Sequence, residues 1–154
     1  AGMRIGYAIG NEKLIAAMKA VKFSYNSYTM NMTSIDAGVA AIRDDAYFQK
    51  IVSQILKTRE QAKEKLSELG FTFTDSKTNF LFAKHNSMRA EVIFEELKKR
   101  NICVRYFNKP RIDNFLRITI GTDDEMDKLY RVLKEIIAAD TKLETDTELG
   151  ADTE

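Results

Sequence analysis

The 154-residue chain carries 24 basic and 23 acidic residues for a net charge of +1, with 44% hydrophobic and 31% charged residues, the balance of an ordinary globular domain. That charge gives nucleic acid and anionic membranes no electrostatic hold, and no apolar run approaches the roughly 18 residues of a membrane span. No secretory signal pattern is present, and the single cysteine, Cys103, excludes an internal disulfide and a cysteine-based metal site and fits a reducing, cytoplasmic setting.

In chain order, Ala1 to Tyr7 reads as the middle of an element, which predicts a piece of a longer protein. Residues 4–9, apolar and bounded by glycines, predict a strand or extended segment. Asn11 caps a predicted helix with Leu14, Ile15, Met18 and Val21 on one face. Residues 22–30 predict a loop. Met32, Ile35, Val39, Ala40 and Ile42 predict a second helix, weakened by Gly38. Phe48, Ile51, Val52, Ile55, Leu56, Ala62, Leu66 and Leu69 mark the strongest helix, ended by Gly70. Lys50, Lys57, Arg59, Glu60, Lys63, Glu64 and Lys65 alternate in sign between them, as a solvated face does.

Short strands are predicted at Phe71–Thr74, Phe80–Ala83, Ile102–Tyr106 and Phe115–Ile120, with a helix from about Met88 to Arg100. Thr122-Asp123-Asp124-Glu125 is a capping box opening a last helix, lined by Met126, Leu129, Tyr130, Leu133, Ile136 and Ile137. Thr141 to Glu154, acidic and threonine-rich, predicts a loose tail. The order predicts an α+β fold, with helices on one face of a small, mostly antiparallel sheet. Boundaries are expected to divide the chain into 1–44, 45–140 and 141–154.

The arginines carry the candidate chemistry. Arg4 stands between Gly2 and Gly6. Arg117 interrupts an apolar strand, on the face of Phe115 and Thr119 and opposite Leu116, Ile118 and Ile120. A guanidinium there is either an exposed or salt-bridged strand residue or a bidentate clamp for a carboxylate or phosphate. Arg105 ends the preceding strand, and 105, 111 and 117 could converge on one anion; Lys109 and Arg111 read equally as solvated loop charges. His85, the lone histidine, reads as an exposed turn residue, with a general-base role left open. Cys103 reads as a small core residue, and Phe80, Phe82 and Phe115 as core.

Several motifs carry a resemblance to a known family. Ala1-Gly2-Met3-Arg4-Ile5-Gly6-Tyr7 resembles the segment after the cofactor lysine of class I/II, fold type I aminotransferases. Asn114-Phe115-Leu116-Arg117-Ile118-Thr119-Ile120-Gly121-Thr122 resembles the C-terminal signature of histidinol-phosphate aminotransferases. Thr58-Arg59-Glu60, Leu66-x-x-Leu69-Gly70-Phe71, Thr78-Asn79-Phe80 and Ile102-Cys103-Val104-Arg105 follow in family order, so the likeness covers residues 1 to about 140. It implies the end of a large pyridoxal 5'-phosphate-binding domain over 1–44 and the C-terminal small domain over 45–140. Arg4 would contact the cofactor phosphate, Arg117 the anionic end of the substrate, and Arg105 the substrate phosphate.

The implied parent reaction is amino transfer between glutamate and imidazole-acetol phosphate, in histidine biosynthesis. An aromatic amino-acid aminotransferase or an amino-acid-phosphate decarboxylase of the same fold are alternatives. The implied partners are an amino-acid or amino-alcohol phosphate and glutamate, and the intact enzyme is expected to be a homodimer without nucleic-acid or membrane partners. The Schiff-base lysine belongs eight residues before Arg4, upstream of Ala1, so no catalytic residue is expected in this chain and it is expected to be inactive alone. Ser24 stands where many relatives have proline. A non-catalytic α+β binding module, RNA-binding ones included, is the competing reading; balanced charge speaks against RNA.

Overall fold

The computed structural model describes residues 3–151, with side chains through Asp140. It divides into two compact units, residues 1–51 and 52–154.

The first unit holds α1 (Glu12–Tyr25), α2 (Met32–Arg43) and the opening of α3 (Asp45–Glu68). Asparagines cap the first two helices: Asn11 Oδ1 accepts from the Lys13 amide at 3.0 Å, and Asn31 Oδ1 from that of Ser34 at 2.8 Å. α1 runs three residues beyond the start of the predicted loop. Ser24 explains this, because its hydroxyl donates back to the Ala20 carbonyl at 2.8 Å, where a proline would have removed an amide from the helix. Residues 4–9 form no strand; an extended stretch becomes one only when another strand pairs with it. Gly38 sits inside α2 because Ile5 packs there: a Cβ at 38 would lie 3.0 Å from Ile5 Cδ1. The apolar stripe of α1 faces outward, with Leu14, Met18 and Val21 all exposed.

The second unit is an antiparallel sheet of order β1-β2-β4-β3, from β1 (Phe71–Phe73), β2 (Phe80–His85), β3 (Arg105–Tyr106) and β4 (Leu116–Thr119). Alternation puts Phe71, Leu81, Ala83, Leu116 and Ile118 on a buried face. Against it lie Ala62 and Leu66 of α3, Ala90, Ile93 and Leu97 of α4 (Ala90–Lys99), and Met126, Leu129, Leu133 and Ile136 of α5 (Asp123–Ala151). The α+β layering with helices on one face is as the residue pattern predicts. β3 is shorter than predicted, because Ile102–Val104 finds no pairing partner on β4.

Several polar residues clasp this unit. The capping box forms: Thr122 N–H donates to Glu125 Oε2 at 2.8 Å, and Glu125 N–H to Thr122 Oγ1 at 3.4 Å. These bonds from Thr122 hold the Glu125 carboxyl below its ordinary range. Arg59 departs from the solvated-face reading. It is buried in α3 and donates to the Thr78 carbonyl at 3.1 Å, while Thr58 donates to Asp123 at 2.7 Å. His85 is likewise no exposed turn residue. It is buried, its Nδ1 accepts from the Met88 amide at 3.0 Å, and Nε2 therefore donates to the Leu69 carbonyl at 3.0 Å. Both ring nitrogens are thus committed to backbone, which removes the general-base reading. Cys103 is exposed, not core, because the segment 102–104 runs outside the paired sheet. The expected tail at 141–154 falls on side chains outside the described ones; the α5 backbone is helical through Ala151.

Candidate functional site

The face of the sheet away from the helices is the chemically unusual surface of the second unit. Period-2 alternation brings Phe80, Phe82 and Lys84 of β2 to it, with Arg117 and Thr119 of β4 and Arg105 of β3. Phe80, Phe82 and Phe115 are half-buried here, not in the core as expected. Within this unit α3, α4 and α5 pack on the opposite face.

The strand register pairs Arg105 directly with Arg117, and Arg117 with Phe82. Both arginines are exposed. Among the described residues neither forms an ion pair. Like charges directly opposite on adjacent strands are destabilising, by roughly 0.2–1 kcal/mol. The aromatic rings offset that. The Arg117 guanidinium lies over Phe80 at 5.4 Å and over Phe107 at 5.9 Å, and that of Arg105 over Phe107 at 5.4 Å. Such contacts are worth about 0.5–1 kcal/mol each at exposed sites. Phe107 meets Phe82 edge-on at 6.0 Å, Phe82 stacks on Phe115 at 4.7 Å, and Lys84 stands 5.9 Å over Phe115. The arrangement is two adjacent, un-neutralised guanidinium groups on an aromatic floor, suited to a bidentate or dianionic ligand.

Of the three arginines that might converge, the structure brings together 105 and 117. Arg111 lies in the β3–β4 loop with φ 75°, and no bond or ring contact ties it to the pair among the described residues. Phe107 and Lys84 are site residues that the sequence reading does not single out, although Phe107 stands two residues from Arg105, the spacing that returns an extended chain to one face. Asn114, at the end of the same loop, accepts from the first amide of α4, that of Ala90, at 3.0 Å, and so ties the loop to that helix.

Arg4, in the first unit, is exposed and has φ 57°. This is the left-handed region, costing roughly 1–2 kcal/mol for a residue with a Cβ. It borders a cleft of about 300 Å³ with Met3, Thr29, Met30, Asn31 and Ser34. Asn31 and Ser34 are the cap and first turn of α2, so the helix's positive end opens there. A Cβ at Gly6 would meet no atom of the chain within 4 Å, so no packing neighbour among the described residues requires glycine there.

Two further clefts in the second unit lack convergent cations. One of about 390 Å³ lies along Cys103, Ile118, Gly121 and Leu129; the other, about 340 Å³, lies beside Thr58, Asp123, Asp127 and Tyr130. Burial pushes the Tyr130 phenol up to about 12. Among the described residues no group of three acidic, histidine or cysteine side chains could hold a metal, and no helix is long and apolar enough to cross a membrane.

With this geometry in view, comparison with known proteins places the chain. The model of the class I and II aminotransferases matches residues 1–133, and the chain belongs to that family. Within it, the chain is 50% identical over 137 residues to the histidinol-phosphate aminotransferase of Brachyspira hyodysenteriae, covering 89% of this chain and 39% of that protein. The histidinol-phosphate aminotransferase structure from Clostridium acetobutylicum superposes with a TM-score of 0.77 at 27% identity, over 90% of this chain and 42% of that one. That from Sinorhizobium meliloti, in complex with pyridoxal 5'-phosphate, superposes at 0.75 and 25%, over 90% and 38%. The chain therefore spans about two-fifths of the length of the relatives it matches.

Proposed function

We propose that the chain is the C-terminal part of a pyridoxal-phosphate-dependent aminotransferase whose parent reaction moves an amino group between glutamate and imidazole-acetol phosphate, in histidine biosynthesis. The observation that carries this is the cross-strand pair Arg105–Arg117, opposed without a carboxylate partner on an aromatic floor. A pair of that kind is stabilised when an anion sits across it, and the substrates of this reaction carry a phosphate or a carboxylate. The strong similarity to histidinol-phosphate aminotransferases supports the choice of substrate.

In this reading residues 1–44 end the cofactor-binding domain and 45–140 form the small domain. Arg4, with the polar cleft at the start of α2, fits a phosphate: it supplies one cation, side-chain hydroxyls and a helix N-terminus. Bound there, pyridoxal phosphate supplies the electron sink for the chemistry. Arg117 holds the anionic end of the substrate and Arg105 shares its phosphate, so that the reacting amine is oriented before any bond changes. The outward stripes of α1 and α2 pack on the remainder of a homodimeric, cytoplasmic enzyme. The lysine that would move protons belongs eight residues before Arg4, upstream of Ala1.

The test uses the full-length protein, with glutamate and imidazole-acetol phosphate as substrates. Arg117→Ala should lower kcat/KM by about a hundredfold or more and Arg105→Ala by less, the size expected when charge-paired contacts to a substrate are lost. Full activity in Arg117→Ala would contradict the assignment. The 154-residue chain with added cofactor should transfer no amino group above a cofactor-only control.

A further inference from the structure

We infer that Phe107 is a positioning residue, the single ring that sets the spacing of the two guanidinium groups in the anion site; this rests on the anion-binding reading of Arg105 and Arg117. Three observations carry it. Phe107 contacts both guanidinium carbons, at 5.4 Å for Arg105 and 5.9 Å for Arg117, whereas Phe80 contacts only Arg117. The two arginines are direct cross-strand neighbours with no carboxylate between them. Left alone, two long like-charged side chains would splay apart and lose rotamer freedom again on every binding event. Phe107 is also buttressed, since its ring meets Phe82 edge-on at 6.0 Å and Phe82 stacks on Phe115 at 4.7 Å. The stack runs from β2 and the residue before β4 to the residue after β3, so the ring has a fixed seat although it lies outside the hydrophobic core.

The role is geometric. Phe107 offers an anion no charge and no hydrogen bond, and its loss leaves the net charge of the site unchanged. What changes is how often both guanidinium groups face the same point. A structural residue of the core would alter stability when replaced; a positioning residue alters affinity at constant charge and constant fold.

The experiment titrates inorganic phosphate into the isotope-labelled 154-residue chain at fixed ionic strength, following the Nε–Hε signals of Arg105 and Arg117. In the wild-type chain both signals should move along one saturation curve. Phe107→Leu, which keeps an apolar side chain, should weaken apparent affinity about three- to tenfold. Phe107→Trp should restore it, and Phe80→Leu should cost less than Phe107→Leu. If Phe107→Leu binds phosphate as the wild type does, or if Phe80→Leu costs as much, the role of Phe107 is overturned while the anion site stands. If neither arginine signal responds in the wild-type chain, the anion reading falls and this inference with it. Should Phe107→Leu fail to fold, the free wild-type chain still decides. Side-chain protons of both arginines must show upfield ring-current displacement, and its absence from either one overturns the proposal.

Discussion

The two units of this chain solve the same problem in different ways. In residues 52–154 the buried apolar side chains run from Ala62 to Ile136 and close a core between one sheet face and three helices. Among the described residues of 1–51 the buried position is Ser34, and Leu14, Met18, Val21, Phe23, Tyr28 and Ile42 are all exposed. Both segments are rich in large apolar residues, so composition does not separate them. The difference lies in burial: an amphipathic helix is stable when its stripe is covered, and the stripe residues of α1 and α2 are exposed. One unit closes a core of its own; the other leaves its apolar stripes exposed.

The widest break in that comparison comes from cutting the chain. A piece covering 45–154, which keeps α3 whole, should unfold cooperatively in urea, while residues 1–44 alone should give no cooperative transition by circular dichroism. The converse result would reverse the roles of the two units. Next in size, Leu133→Ala, at a fully buried site, should cost about 2–5 kcal/mol. Leu14→Ala, at an exposed one, should change the urea midpoint by no more than roughly 0.5 kcal/mol.

A smaller effect is expected at the α3–β1 turn. Gly70 has φ 81°, and a Cβ there would lie 3.0 Å from His85 Nε2. Gly70→Ala should therefore cost about 1–3 kcal/mol, through a strained backbone and a disturbed histidine seat. His85→Phe would leave the Leu69 carbonyl and Met88 amide without the ring nitrogens they now meet, at roughly 1–3 kcal/mol for each group left buried.

The smallest expected effect is a pH dependence. Lys63, with Lys77, holds the Asp75 carboxyl down at about 2 from an ordinary 3.8. A depressed carboxylate stabilises the fold above its unfolded value and loses that contribution as pH falls through its folded one. The contribution of this carboxyl to the urea midpoint should thus be lost as pH falls from about 4 toward 2. Asp75→Asn should remove part of that slope, and an unchanged profile would contradict the pairing.

These contrasts also mark what could be read without coordinates. The helices were legible because three- and four-residue spacing is a local property, as in α3 and α5. The strands were legible as candidates, but pairing was not: residues 4–9 and Ile102–Val104 have strand composition and no partner. His85 looked like a turn residue because nothing near it in sequence reveals that the end of α3 returns to its ring. Phe80 and Phe82 alternate with Leu81 and Ala83, so both faces of β2 are apolar, and only the placement of the helices decides which is inside. The same holds at the site. Arg105 and Arg117 were each visible as cations on a strand, whereas their direct opposition depends on a register set across the β3–β4 loop.

The central claim is that this opposition is a seat for an anion, and thermal unfolding tests it most directly. The 154-residue chain and its R105Q/R117Q variant would be melted with increasing inorganic phosphate, with ionic strength held by chloride. The account predicts that without phosphate the variant is no more stable than the wild type, because the relief of a like-charge repulsion of roughly 0.2–1 kcal/mol is outweighed by the loss of the Arg–Phe contacts, worth about 0.5–1 kcal/mol each. It predicts that phosphate raises the midpoint of the wild-type chain more than that of the variant, which keeps the Arg4 cleft but not the opposed pair, as a ligand binding only the folded state must. Equal stabilisation of both chains, or of neither, would contradict it.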